Sequence, residues 1–196
     1  YGLTENDRLG NFAPLHFDQS TFDFFCAPLV GATTIIIPEE YKMLPASLSE
    51  LVEEERLTVW YSVPLALTQM LLRGQLGERD WSAMRWILFG GEPFTPKYLQ
   101  QLQAQLPHER FSNVYGPAEV NQCTYFHVPP LPNPYGEQPL PIGHIWGDTQ
   151  GLIVDGDDHV VADGEVGELL IRSTTMMAGY WNQPQKTAAA FFESEV

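Results

Sequence analysis

Short apolar runs alternate with helically spaced apolar residues over most of the chain's first two thirds. Thr33-Thr34-Ile35-Ile36-Ile37 is a β-branched run stopped by Pro38. A helical pattern follows, with Leu48, Leu51 and Val52 on one face and Glu53 to Glu55 on the other. Thr58-Val59-Trp60-Tyr61 reads as a strand, and Pro64 opens a helix whose apolar residues run from Leu65 to Leu72. Arg85-Trp86-Ile87-Leu88-Phe89 predicts a third strand, stopped by Gly90-Gly91. Thr95-Pro96 opens a helix carrying Leu99, Leu102 and Leu106, and Phe111 to Val114 is the fourth strand, ending in Tyr115-Gly116-Pro117.

This rhythm, one strand and one helix per step of roughly 25 to 30 residues, is that of a βαβ fold. It predicts an α/β architecture with a largely parallel sheet flanked by helices. Ligands of such sheets bind beyond the carboxyl ends of the strands. Tyr61-Ser62, Gly90-Gly91-Glu92 and Tyr115-Gly116-Pro117-Ala118-Glu119 all follow strands, so topology brings them to one edge.

After residue 128 the pattern changes. Pro129, Pro130, Pro132, Pro134, Pro139 and Pro141 make a linker-like stretch. Leu152-Ile153-Val154, Val160-Val161 and Glu168-Leu169-Leu170-Ile171 read as antiparallel strands, with a turn at Asp155-Gly156-Asp157-Asp158. Ala178-Gly179-Tyr180-Trp181 reads as a turn, and Thr187 to Phe192 as a short helix with Gln185 or Thr187 near its start. The expected division is an α/β unit over 1–128 and a small antiparallel β-barrel, with the start of the next helix, over 129–196.

Composition narrows the function classes. With 196 residues and 44% hydrophobic content the chain can bury a core. A net charge of −15, from 25 acidic and 10 basic residues, argues against nonspecific nucleic-acid binding. No apolar run approaches the ~20 residues of a membrane helix. The start at Tyr1-Gly2-Leu3-Thr4 is no signal peptide, and both ends look cut from something longer. Cys26 and Cys123 form no disulfide framework, which fits a reduced, cytoplasmic setting. The five histidines have no metal-ligand spacing.

Each candidate motif has a plainer alternative. Asp18 stands in sequence among Phe17, Phe22, Phe24 and Phe25. A carboxylate in apolar surroundings needs a cation or several donors, and a substrate ammonium would serve. Alternatively Asp18 or Ser20 caps the helix expected over 21–30. Gly90-Gly91-Glu92-Pro93 lets backbone approach a flat ligand, or is an ordinary turn. In Asn113-Val114-Tyr115-Gly116-Pro117-Ala118-Glu119 the amide could read adenine, the tyrosine pack on it and the carboxylate hold Mg²⁺; the alternative is a Gly-Pro turn with a solvated Glu. Gly164-Glu165-Val166-Gly167-Glu168-Leu169 and Gly179-Tyr180-Trp181 read as structural. Cys26 reads as core, and no base is placed to make Cys123 a nucleophile.

Together, Phe17-Asp18-Gln19-Ser20, Asn113 through Glu119, Pro141-Ile142-Gly143, Thr149-Gln150, and Gly167-Glu168-Leu169 through Gly179-Tyr180-Trp181 resemble the adenylation domains of nonribosomal peptide synthetases. These are relatives of acyl-CoA synthetases and firefly luciferase. Asn6-Asp7-Arg8 through Phe17-Asp18 looks most like the free-standing amino acid:carrier-protein ligases. The resemblance implies that Asp18 binds the substrate amino group. It places Gln19, Phe22, Tyr61, Leu88, Gly90, Val114, Gln122 and Cys123 around the substrate side chain. Gly91, Glu92 and Pro93 would flank adenine, Asn113 would bond its amino group, Tyr115 and Gly116 would contact the nucleotide, and Glu119 would bind Mg²⁺. The pocket set has no cationic residue and resembles that of proline-activating ligases at Asp18, Tyr61, Leu88 and Cys123, implying a small or apolar, proline-like amino acid. The family usually has Thr where this chain has Ala118, so a hydroxyl donor to the α-phosphate is missing.

The implied reaction joins an amino acid and ATP into an aminoacyl-AMP, then passes the aminoacyl group to a carrier-protein thiol. The family's Ser/Thr/Gly-rich phosphate loop, its Tyr-x-Thr-Gly-Asp motif and the lysine-bearing C-terminal domain are not found in 1–196, so this chain alone is expected to be inactive. The competing classes are an acyl-CoA synthetase-type acid:thiol ligase and a non-catalytic adenylation-like module.

Overall fold

The computed structural model describes residues 1–132 and 138–192; Pro134 of the proline-rich stretch and the terminal Glu193-Ser194-Glu195-Val196 lie outside the described residues. The four expected strands form as β2 (Thr33–Ile36), β3 (Val59–Ser62), β4 (Trp86–Gly90) and β5 (Arg110–Tyr115). A further strand, β1 (Arg8–Asn11), was not expected and inserts between β2 and β3. Its sequence, Arg-Leu-Gly-Asn, carries one large apolar side chain, Leu9, which is fully buried. β1 to β5 are mutually parallel. The sheet continues with β6 (Thr124–Val128) and β7 (His144–Ile145), both added antiparallel, in the order β2-β1-β3-β4-β5-β6-β7. It therefore runs past residue 128.

Three helices, α2 (Pro45–Glu54), α3 (Pro64–Arg73) and α4 (Pro96–Gln105), each begin on a proline, where the missing N–H has no intrahelical partner to lose. Their apolar stripes, including Leu48, Leu67, Met70, Leu99 and Leu102, bury against Trp60, Ile87, Phe89 and Phe111 on one face of the sheet. Each such side chain contributes about 1.5–3 kcal/mol of burial. The helix expected over 21–30 opens in wide π geometry over Phe22–Cys26 and closes in α geometry as α1 (Ala27–Val30). Phe22 and Ala27 cover the opposite face with Leu9, Val59, Tyr61, Leu88 and Val114.

One buried carboxylate holds the strand starts in line. Asp7 accepts from the Thr58 hydroxyl at 2.6 Å, the Thr4 N–H at 2.8 Å and Arg85 at 2.9 and 3.1 Å. Those residues precede β1, β3 and β4. Burial opposes ionisation of Asp7, but these donors together hold its carboxyl below the usual range.

The second part is sparser than expected. β8 (Gln150–Val154) and β9 (Glu168–Arg172) pair antiparallel, and Val160 contributes a single bridge to Val154 where a strand at Val160-Val161 was expected. The turn at Ala178-Gly179-Tyr180-Trp181 leads to α5 (Pro184–Ala190), which starts earlier than expected because Pro184 sets the first helical turn. Leu152, Ile153, Val160 and Val166 are exposed.

Candidate functional site

Strand alternation puts Tyr61, Leu88, Gly90 and Val114 on one face, with Tyr61 beside Leu88 and Gly90 beside Val114 in register. A Cβ on Gly90 would lie 2.3 Å from the Val114 carbonyl oxygen, so only glycine lets β5 approach here, and it would meet the Tyr61 hydroxyl at an ordinary contact distance of 3.4 Å. Burial drives the Tyr61 phenol well above its usual pKa. Gln19 and Gln122 beside the hydroxyl oppose that rise, and the Asp18 charge adds to it. Tyr61 is thus a neutral hydroxyl at working pH. Gln19 approaches it without closing an aligned bond, and its Nε2 is buried without a partner among the described residues.

Asp18 is half-buried in the turn before the π segment. Its Oδ1 accepts the Gln19 N–H at 2.9 Å. The Thr21 N–H and hydroxyl donate to its carbonyl, at 2.9 and 2.6 Å. Neither Asp18 nor Ser20 caps the helix, and the Ser20 hydroxyl instead donates to the Phe17 carbonyl at 2.8 Å. Among the described residues no Lys or Arg pairs with Asp18. The phenylalanine surround read from the sequence is mostly absent. Phe22 is buried, edge-on to Tyr61 at 5.8 Å, while Phe17, Phe24 and Phe25 face solvent.

The Gly-Pro segment turns sharply back toward this face. Cys123 donates its N–H to the Tyr115 carbonyl at 2.9 Å, and Val120 donates to Pro117 at 3.0 Å. Gly116 lies so close to Asn121 that a Cβ would meet its carbonyl at 1.7 Å. Asn121, in the left-handed region at φ 60°, donates from Nδ2 to the Thr21 hydroxyl at 3.0 Å. That bond ties the Glu119 loop to the turn carrying Asp18.

Asn113 points to the sheet's other face. Its Nδ2 donates to the Pro141 carbonyl at 2.9 Å, and among the described residues its Oδ1 accepts no bond, so it can take a ligand donor. Gly91, at φ 91°, and Pro93 are exposed beyond β4. The Glu92 carboxylate instead accepts the Leu65 N–H at 2.9 Å, satisfying an unpaired donor at the start of α3. Ala118 is exposed on the turn, and Tyr115 is partly exposed.

Glu119 is held from the second part of the chain. The Tyr180 hydroxyl donates to its Oε1, the Met177 N–H to its carbonyl at 2.7 Å, and the Thr175 hydroxyl to the Val120 carbonyl at 2.6 Å. The Tyr180 bond is the main cause holding the Glu119 carboxyl below its usual range, with Lys186 adding to it. Among the described residues no three His, Cys, Asp or Glu side chains cluster to cage a metal. A single ionised carboxylate suits Mg²⁺, which takes one or two from protein and the rest from water and phosphates.

Phe22, Val114 and Gln122 line a cavity of about 520 Å³, bounded opposite by Tyr1, Tyr125, His127 and Trp146. Leu88 and Cys123 are fully buried and reach no open surface. Burial pushes the Cys123 thiol up, away from the reactive thiolate form.

The AMP-binding enzyme family matches residues 1–181. The chain belongs to that family. It is 38% identical over 184 residues to an L-proline--[L-prolyl-carrier protein] ligase of Pseudomonas fluorescens, an alignment covering 94% of this chain and 37% of that one. A D-alanine--D-alanyl carrier protein ligase of Lactiplantibacillus plantarum is 31% identical over 198 residues, covering 98% of this chain and 38% of the relative. Among solved structures, the Vibrio cholerae adenylation domain AlmE in complex with glycyl-adenosine-5'-phosphate superposes with a TM-score of 0.86 at 30% identity, covering all of this chain and 37% of that one. The chain thus spans a little over a third of the length of these relatives.

In this AMP-binding chain the sequence reading missed three features: Tyr180 on Glu119, the Thr21–Asn121 tie, and the buried Asn11–Asp23 pair. Asn11 donates to Asp23 at 3.2 Å beneath the π segment. Only the pairing of Gly179 with Tyr180 could have drawn attention, and it reads locally as a turn.

Proposed function

We propose that the full-length protein is an adenylate-forming ligase that activates a small, proline-like amino acid with ATP and passes it to a carrier-protein thiol in the cytoplasm. One observation carries the reading. Asp18, without a cation partner among the described residues, stands beside the neutral Tyr61 hydroxyl, on a turn tied by Thr21–Asn121 to the Glu119 loop. A zwitterion's ammonium supplies the missing counter-charge, whereas a simple acid offers none.

In this reading Asp18 holds the ammonium and fixes which way the substrate carboxylate faces. Gln19, Phe22, Tyr61, Gly90, Val114 and Gln122 bound its side chain, with Leu88 and Cys123 behind them. The Asn113 Oδ1 accepts from the adenine amino group, and Gly91, Pro93, Tyr115 and Gly116 flank the nucleotide, with the Glu92 backbone. The carboxylate then attacks the α-phosphorus and pyrophosphate leaves, a displacement between anions in which positioning and charge neutralisation dominate. Glu119 fits a Mg²⁺ ion, which supplies part of that neutralisation when bound. Ala118 contributes no hydroxyl to the α-phosphate; a neutral hydrogen bond there is worth only ~0.5–1.5 kcal/mol. The exposed apolar residues of β8 and β9 support a second, barrel-like unit that begins after β7.

Amino-acid-dependent exchange of pyrophosphate into ATP tests the proposal. The full-length protein should exchange with proline or a close analogue above all other amino acids. Exchange with simple carboxylic acids and with no amino acid would overturn it.

A further inference from the structure

Glu119 lies on an exposed turn, and a free glutamate there would sample many rotamers. It does not stand free, because the Tyr180 hydroxyl donates to Oε1 and leaves Oε2 open. Tyr180 is itself fixed from two sides. Its N–H donates to the Thr187 hydroxyl at 2.9 Å, and the Lys186 ammonium sits over its ring at 4.3 Å from the centroid. Thr187 in turn donates to the Gln183 carbonyl at 2.9 Å, so the anchor belongs to the first turn of α5. A phenol held by a helix and stacked under a cation, with its hydroxyl on one oxygen of a carboxylate, is how an outer partner orients a metal ligand.

We infer that Tyr180 is the positioning residue for Glu119, fixing its carboxylate so that Oε2 meets the divalent cation, with Thr187 and Lys186 holding Tyr180 in place. This rests on the reading that Glu119 binds the cation, and it assigns Tyr180 a part in metal binding where its sequence reads as a turn. The three ties from 175–180 to the 119–120 turn also make α5 and the metal site one unit.

The test measures Mn²⁺ affinity by electron paramagnetic resonance, in the full-length protein saturated with an ATP analogue that cannot be cleaved between the α and β phosphates. Tyr180→Phe keeps the ring and removes the hydroxyl. It should weaken Mn²⁺ binding by about 10-fold or more, the usual effect of losing an outer partner. The amino-acid KM at saturating Mg²⁺ should stay within about twofold. Thr187→Val should shift affinity the same way by less, and it carries the test if Tyr180→Phe lowers the melting temperature. If Glu119→Gln loses Mn²⁺ affinity while Tyr180→Phe and Thr187→Val keep it, the inference falls and the metal assignment stands. If Glu119→Gln keeps full affinity, the metal assignment falls and takes the inference with it.

Discussion

The Tyr61 hydroxyl reaches to within 3.4 Å of where a side chain on Gly90 would begin. A methyl there would meet the phenol only at ordinary contact distance, but it would meet the Val114 carbonyl at 2.3 Å, so the missing Cβ lets β4 and β5 close together beneath Tyr61. Gly90→Ala should push β5 away at Val114 beside the Tyr61 hydroxyl, costing about 1–3 kcal/mol as an overpacked site does. Amino-acid KM should rise more than ATP KM. Steady-state kinetics and a melting curve check both; equal rises in the two KM values would show that the pair does not serve the amino acid.

In the proposed reading Asn113 turns its Oδ1 to the nucleotide, since Pro141 occupies its Nδ2. Removing a neutral hydrogen bond worth about 0.5–1.5 kcal/mol should raise the ATP KM roughly 2- to 12-fold in Asn113→Ala, with the amino-acid KM unchanged. An unchanged ATP KM would place adenine elsewhere.

Asp23 gives a pH signature. Burial pushes its carboxyl up to about 7, against the hydrogen bond from Asn11. The folded chain therefore holds a proton that the unfolded chain releases near 3.8. Stability should fall by up to about 1.4 kcal/mol per pH unit as pH climbs from 3.8 to about 7, then level off. Asp23→Asn mimics the protonated form, so its melting temperature should exceed wild type above that window and lose this slope within it. Parallel melting curves for the two proteins would contradict the buried neutral carboxyl.

The parallel sheet was legible because its inner strands are buried on both faces. Trp86–Gly90 is buried throughout, and such a strand is a continuous apolar run that any reading finds. β1 was not legible, since Leu9 is its one large apolar side chain and its burial comes from neighbours far along the chain. For Asp18 the local sequence fits a cap as well as a site; the structure shows that it does not cap the helix, and the neighbours that support the proposed site, Gln122 beside Tyr61 and Asn121 on Thr21, lie far along the chain. The Tyr180–Glu119 bond spans 61 positions, a separation over which no local periodicity carries information.

The account turns on Asp18 meeting a substrate ammonium. Calorimetry on the full-length protein can compare a non-hydrolysable prolyl-adenosine analogue with its cyclopentane counterpart, identical except that a CH₂ replaces the ring nitrogen. The analogue bearing the ammonium should bind at least about 30-fold tighter, since an unpaired charged group costs 2–5 kcal/mol, and Asp18→Asn should erase most of that difference. Equal affinity for the two ligands, or a difference untouched by Asp18→Asn, would contradict it.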